Sequence, residues 1–257
     1  MDKKYRYFCD KIIDLYRKIV IIPTYNEKEN VKKIAGAVRS LPEEFDILFV
    51  DDGSPDGTGA IIKEMQKTDK SIHLIERSGK LGLGTAYITG FRYCIEQGYD
   101  FICEMDADFS HNPNDLPRLT KACENDIYDV SIGSRYVRGG GVRNWGFERK
   151  FLSYGASLYV RFLTFMNIKD PTAGFVCYKR EVLERIDLDK IRFIGYAFQI
   201  EMKFAAWTNG FRLKEVPIVF IDRVEGKSKM NSSIIGEAIF GVLKMKWNSF
   251  FSSYRKD

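Results

Sequence analysis

The sequence predicts an α/β protein built on a mainly parallel, twisted sheet flanked by helices, and three observations predict it. From Lys18 onward, short β-rich apolar runs alternate with longer segments of helical period, the signature of strands joined by crossover helices. The unusual polar clusters fall just after those strands, where open sheets of this kind bind ligands. A length of 257 residues with 45 % hydrophobic and 29 % charged content is enough for one large core.

The first strand is KIVIIPTY, 18–25, followed by a helix over 29–41 for which Asn26 is available as N-cap. DILFVDDG, 46–53, and IHLIER, 72–77, are the next two strands. Each leads into a helix: 57–67, capped from Ser54 or Asp56, and 83–97, entered through a tight turn at Lys80, Gly82 and Gly84. FICEMDAD, 101–108, is the fourth strand, and Asn112 caps a helix over 114–125. DVSIGSRY, 129–136, is the fifth. Glycine and arginine then crowd into a loop, 136–150, ahead of a helix with a broad aromatic and aliphatic face over 151–168. FVCYKREVL, 175–183, reads as a strand running into a helix, 196–209 as a helix, and FRLKEVPIVFI, 211–221, as a strand. A polar loop, DRVEGKSKMN, 222–231, precedes an amphipathic helix over 232–254. The organisation expected is an N-terminal extension, 1–17, a main domain, 18–230, and a C-terminal amphipathic segment, 231–257, without internal repeats.

Lys and Arg outnumber Asp and Glu by 40 to 35, and a net charge of +5 suits an anionic ligand or a membrane surface while arguing little for nucleic acid. Five cysteines, odd in number and never in a C-x-x-C pair, point to neither a disulfide framework nor a zinc site, so a reducing, cytoplasmic setting is expected. The first 18 residues are charged throughout, unlike a signal peptide. No stretch reaches the roughly 18 to 20 uncharged apolar residues of a spanning helix; FLSYGASLYVRFLTFMNI, 151–168, is broken by Arg161. The chain is expected to lie on a membrane rather than cross one.

Asp106 and Asp108 stand one residue apart where an apolar strand ends. Such a pair either ends the strand and caps the following turn, or directs both carboxylates to one ligand and holds Mg²⁺ or Mn²⁺ against a diphosphate. In VDDGSPDGT the turn explains Gly53, Pro55, Asp56 and Gly57 but not both Asp51 and Asp52, and a carboxylate there accepts hydrogen bonds from a ribose or base. Tyr25 offers a ring to stack on a base, Glu27 an acceptor for sugar or base donors, and Pro23 shapes the strand's exit. Arg135 closes the fifth strand. Arg138, Arg143, Arg149, Lys179, Arg223, Lys227 and Lys229 add further cations, and guanidinium forks match phosphate geometry. Two histidines, His73 and His111, are too few for a catalytic triad or a histidine metal site, and His111 is expected on a surface turn. There is no P-loop, and SGKLGLGTA, 78–86, lacks the context of a dinucleotide fingerprint.

PTYNE, VDDGSPDGT, MDADFSHNP, GSRYVRGGGVRNW and DRVEGKSKM occur in the order found in dolichol-phosphate mannose synthases. Over 19–231 the chain resembles that branch of glycosyltransferase family 2, whose nucleotide-sugar-binding fold is called GT-A. The resemblance implies an inverting transfer of mannose from GDP-mannose to a polyprenyl (dolichyl-type) monophosphate, dependent on Mg²⁺ or Mn²⁺ and serving protein glycosylation. Carried over motif by motif, it implies Pro23, Tyr25 and Glu27 at the nucleotide and Val50 and Asp52 at base and ribose. Asp106, Ala107 and Asp108 would hold the diphosphate sugar, with both aspartates on the metal. Arg135, Lys179, Arg223 and Lys229 would surround the phosphates, and Arg135 with Arg149 would receive the acceptor's phosphate. Ser110 stands where some members carry a metal-ligating glutamine. Peripheral attachment to the cytoplasmic face of a membrane is expected: 151–168 and 234–251, amphipathic and rich in Phe, Tyr, Leu and Ile, either lie in the interface or pack on the sheet as core helices, and a separate membrane anchor subunit is a further expected partner. The rival readings are a transferase using UDP-glucose or another nucleotide sugar with the same lipid acceptor, and an inactive nucleotide-sugar-binding or scaffold subunit.

Overall fold

The computed structural model describes residues 16–124, 126–195, 197–222 and 232–256, with the backbone alone over 232–239. Its main sheet has seven strands in the order β3-β2-β1-β4-β7-β5-β8. These are β1 (Lys18–Thr24), β2 (Asp46–Asp51), β3 (Ile72–Glu76), β4 (Phe101–Glu104), β5 (Val130–Ser134), β7 (Val176–Lys179) and β8 (Leu213–Pro217). All pairings are parallel except those of β7, which runs antiparallel between β4 and β5.

Helices cover both faces, which is why the strands are nearly continuous apolar runs rather than alternating ones. On one face Ile19 and Ile21 of β1 meet Leu48, Val50 and Ile102, Tyr87 and Phe91 of α3 (Leu83–Glu96), and Phe198 of α7 (Ala197–Thr208). On the other, Val20 and Ile22 meet Ile47, Phe49 and Cys103, Ile34 of α1 (Val31–Arg39), Ile62 of α2 (Thr58–Thr68) and Leu119 of α4 (Leu116–Glu124). Each fully buried aliphatic side chain contributes about 1.5–3 kcal/mol. The α3–β1 approach depends on Gly90, where a Cβ would stand 2.9 Å from the Ile21 side chain.

The second half corrects several expectations. FRLKEVPIVFI forms two strands: Pro217, with no N–H to extend a ladder, is the last residue paired with β5, and β9 (Val219–Ile221) leaves the main sheet. There it pairs in parallel with β6 (Gly141–Arg143), a strand inside the predicted loop 136–150. That loop also ends early, because α5 (Phe147–Thr164) begins after Gly146 and so carries Arg149 in its first turn. The same helix stops before 165–168, since Phe165 turns to φ 60°. A short helix, α6 (Arg180–Arg185), follows β7, and the last helix, α8 (Ser232–Asn248), ends short of 254.

α5 and α8 pack against each other and are apolar on two sides. α5 turns Ser157, Val160 and Thr164 inward, while Phe147, Phe151, Tyr154, Leu158 and Phe162 recur at helical spacing on the exposed side. α8 buries Val242 and Met245 and exposes Phe240, Leu243 and Trp247, with Phe250 and Phe251 exposed just beyond its end. No described helix is long and apolar enough to cross a membrane.

Candidate functional site

The loops after β1 and β2 are fastened together by carboxylates. Asp51, 2 % exposed, accepts from Thr24 Oγ1 at 2.8 Å, from Ser54 N at 2.9 Å and from Ser54 Oγ at 2.6 Å. Asp51 therefore anchors the turn, which leaves Asp52 as the acid with another purpose. Asp56 accepts the amide of Thr58, the first residue of α2, while the cap position itself is Gly57 at φ 90°. Asn26 does not cap α1: it turns left-handed at φ 60° and its amide donates to Ser54 Oγ, and α1 starts only at Val31. Glu27 accepts from the Asn30 side chain at 2.7 Å. The Val50 side chain is wholly buried in the core, so at this site it offers backbone only.

Arg77, just past β3, grips Asp52 through Nε at 2.6 Å and Nη2 at 2.5 Å. Its Nη1 donates to Thr85 Oγ1 at 2.7 Å and its Nη2 to Gly82 O at 3.1 Å, tying the acid to the start of α3. Nearby Lys80 lies 5.0 Å from the Tyr25 ring. Arg77 is not among the residues expected at the site, although it stands at a strand's end as Arg135 does.

Beyond β4 the two aspartates of the D-x-D are half-buried and Ala107 between them is buried. Phe109 takes φ 60° and the amide of Ser110 returns to Asp108 Oδ1 at 3.0 Å, closing a tight acidic turn. His111 is not on the surface: it is 3 % exposed, stacked on Phe175 with ring centres 4.9 Å apart and edge-on to Phe220 at 5.4 Å. Its Nδ1 accepts the Asp106 amide at 3.3 Å, which assigns the proton to Nε2, and burial pushes its pKa down to about 4. A neutral imidazole 3.8 Å from Asp106 Oδ2 adds no charge to the turn. Under it Glu104, fully buried, accepts from Gln199 Nε2 at 2.7 Å, and Lys203 Nζ donates to Gln199 Oε1 at 3.1 Å. Burial raises the pKa of Glu104 and lowers that of Lys203.

Among the described residues no three His, Cys, Asp or Glu side chains group as a complete ligand set. Two half-buried carboxylates on one turn instead suit a hard divalent cation that completes its shell with substrate phosphate and water. Ser110 is buried and its hydroxyl meets no partner among the described residues.

The cationic side is built on aromatic rings. Arg135 is held by Asp170, which is fully buried and accepts from Arg135 N at 2.9 Å, Nε at 2.7 Å and Nη2 at 2.6 Å. Arg149 Nη1 pairs with Asp222 at 2.5 Å. Both guanidinium groups approach the Trp145 ring, at 5.6 Å for Arg135 and 4.3 Å for Arg149. The Phe220 ring touches Trp145, Arg135 and His111 alike, and the amide of Ile221 donates to Ser110 O at 3.2 Å. The acidic turn and the arginine cluster are thus neighbours.

Lys179 is a correction. Because β7 is antiparallel, its last residue lies opposite Phe101, the first of β4, at the far end of the sheet, where it pairs with Asp126 at 2.8 Å. Arg223, Lys227 and Lys229 lie outside the described residues. Pro23 lies near the carboxyl end of β1, the loops beyond the strands carry Tyr25, Glu27, Asp52, Asp106, Ala107 and Asp108, and Arg135 and Arg149 are grouped around Trp145.

A model of the family described as Glycosyl transferase family 2 matches residues 19–187. The chain is 50 % identical over 227 residues to a polyprenol monophosphomannose synthase of Mycolicibacterium smegmatis, covering 88 % of this chain and 85 % of the relative. It is 46 % identical over 228 residues to an undecaprenyl-phosphate mannosyltransferase of Micrococcus luteus, covering 89 % and 93 %. Among solved structures, a glucosyl-3-phosphoglycerate synthase of Mycobacterium tuberculosis, in complex with Mn²⁺, UDP-glucose and phosphoglyceric acid, superposes with a TM-score of 0.64 at 16 % identity. That match covers 91 % of this chain and 81 % of the other, and it is a likeness of fold.

Proposed function

This chain belongs to glycosyltransferase family 2, and from that membership we propose that it transfers mannose from GDP-mannose to a polyprenyl monophosphate, releasing GDP and inverting the anomeric centre. The observation that carries the reading is the adjacency, through Phe220, of the Asp106–Asp108 turn and the Arg135–Arg149 pair. The relatives' names supply the mannose and the polyprenyl phosphate; the likeness of the motifs to dolichol-phosphate mannose synthases supplies the nucleotide.

In the reaction a phosphate oxygen of the acceptor attacks C1 of mannose while the bond from C1 to the GDP oxygen breaks. A phosphate monoester is already anionic at neutral pH, its second pKa being about 6, so no general base is required. The neutral, buried His111 and the absence of another histidine near the turn fit that chemistry. What the chain supplies is position and charge: Arg135, stiffened by Asp170, and Arg149, stacked on Trp145, hold the nucleophile. Asp52, Tyr25 and Glu27 bind the nucleoside. Asp106 and Asp108 are the residues that would hold Mg²⁺ or Mn²⁺, which when bound offsets the charge of the leaving diphosphate.

The acceptor's tail sits in a bilayer, so the site must reach one. The exposed large apolar side chains of α5 and of the C-terminal part of α8 support peripheral attachment to a membrane. Free, buried Cys94, Cys103, Cys123 and Cys177 agree with the reducing cytoplasmic side. The test is thin-layer analysis of lipid made by the purified chain from polyprenyl phosphate, divalent metal and either labelled GDP-mannose or labelled UDP-glucose. Label in the lipid from GDP-mannose is expected; label only from UDP-glucose, or none, refutes the reading.

A further inference from the structure

One cluster near the acidic turn has buried hydrogen-bond donors that meet no acceptor among the described residues. Trp145 is 9 % exposed, yet its indole N–H meets no partner among the described residues. Arg149, whose guanidinium lies 4.3 Å from the same ring, has its Nε–H buried and equally unmatched. Arg135 approaches that ring from 5.6 Å with Nε and Nη2 committed to Asp170. Gly146 caps α5 without a side chain, so the first-turn amides of an 18-residue helix add positive character immediately after Trp145. Buried donors are rarely left unmatched, and two on stacked neighbours beside two guanidinium groups mark the place of an anion. The carboxylate of Asp222 pairs with Arg149 Nη1 on the same guanidinium.

We propose that the indole N–H of Trp145 binds the acceptor's phosphate directly, as a neutral third donor beside Arg135 and Arg149. The ring has a second effect: as the surface against which both guanidinium groups lie, it sets the gap between them. A neutral donor suits this position because it orders the phosphate without lowering the nucleophilicity of its oxygens as much as a third full charge would. The inference rests on the reading that the acceptor is a phosphate monoester. The alternative source of the anion is the diphosphate of the donor nucleotide, and the experiment separates the two.

The full chain has three tryptophans, Trp145, Trp207 and Trp247, so ¹⁵N-indole labelling gives three N–H resonances, and Trp145→Phe identifies one by its loss. Farnesyl phosphate is expected to move the Trp145 resonance downfield in a saturable way, while farnesol and GDP alone leave it in place. In transfer assays Trp145→Phe, which keeps a ring for the arginines, is expected to raise KM for polyprenyl phosphate roughly tenfold or more, the loss of one hydrogen bond to a charged group. KM for GDP-mannose should stay within about twofold, as for a donor that the nucleotide does not touch. An unmoved resonance, a shift with GDP alone, or equal changes in both KM values overturns the assignment. Lipid labelling by the wild-type chain with an unmoved indole sinks the Trp145 inference alone; a wild-type chain that neither labels a phosphate lipid nor responds to farnesyl phosphate takes the proposed function with it.

Discussion

The outward aromatic face gives a prediction whose size follows from exposure. Phe162 on α5 and Phe251 beyond α8 are each 77 % exposed and belong to neither core cluster. A phenylalanine side chain moved wholly out of water gains about 2.5 kcal/mol, so at this exposure each has about 2 kcal/mol left to gain in an acyl boundary. Replacing both by serine should therefore weaken membrane partitioning by about 4 kcal/mol, a factor of roughly 10³ at about 1.4 kcal/mol per tenfold. Stability should move by less than about 0.5 kcal/mol per site, because neither ring packs inside. The assay is flotation of the purified chain with phospholipid vesicles across a range of lipid concentrations, alongside transfer to a short water-soluble prenyl phosphate. The double variant should stay at the bottom of the gradient while its turnover of the short acceptor is kept. A variant that floats like the wild type, or a wild type that does not float, refutes the reasoning.

Asp108→Ala and Arg149→Ala should each nearly abolish mannose transfer in the thin-layer assay, and near-normal product in either removes that residue from the proposed machinery. Asp170→Ala leaves the Arg135 side chain, only 10 % exposed, without its carboxylate; breaking a buried pair this way costs about 3–5 kcal/mol, and an unfolding free energy from urea titration lowered by less than about 1 kcal/mol would contradict the pairing. His111, lowered by burial to about 4 from an ordinary 6.5, opposes folding when protonated. Stability should hold above about pH 6.5 and decline by about 3 kcal/mol as pH falls to 4. His111→Phe should flatten that part of a denaturation series run in chelator, and an unchanged slope would count against a buried neutral imidazole.

The strands and helices from 18 to 134 were legible because their period is local: apolar runs of strand length, each ended by turn chemistry. Asp106, Asp108 and Arg135 stood out for the same reason, as polar breaks in apolar strands. What escaped depends on distant partners. Lys179 ends a strand just as Arg135 does, but local sequence carries no record of which way a strand runs, and the antiparallel course of β7 sends Lys179 to the other end of the sheet. β6 and β9 have three residues each and exist only because they pair across a separation of more than seventy positions. His111 looked like a turn residue, which it is by chain position; Phe175 and Phe220, far along the sequence, are what bury it. Arg77 is half of a pair whose other half, Asp52, was noticed alone.

The small β6–β9 sheet has a kinetic consequence. Its one strand bonds to the acidic turn through Ile221 and Ser110, its other runs straight into Trp145 beside Arg135 and Arg149, and Asp222 joins the two again through Arg143 O and Arg149. Under the proposed function, two substrate sites that share so short a piece of backbone are expected to be thermodynamically coupled. Whatever factor the nucleotide sugar contributes to the affinity for the lipid phosphate, the lipid phosphate must return to the nucleotide sugar. Initial-rate lines at varied donor and acceptor would then intersect away from the axis, and the affinity of this protein for its lipid has a defined value only at a stated concentration of donor.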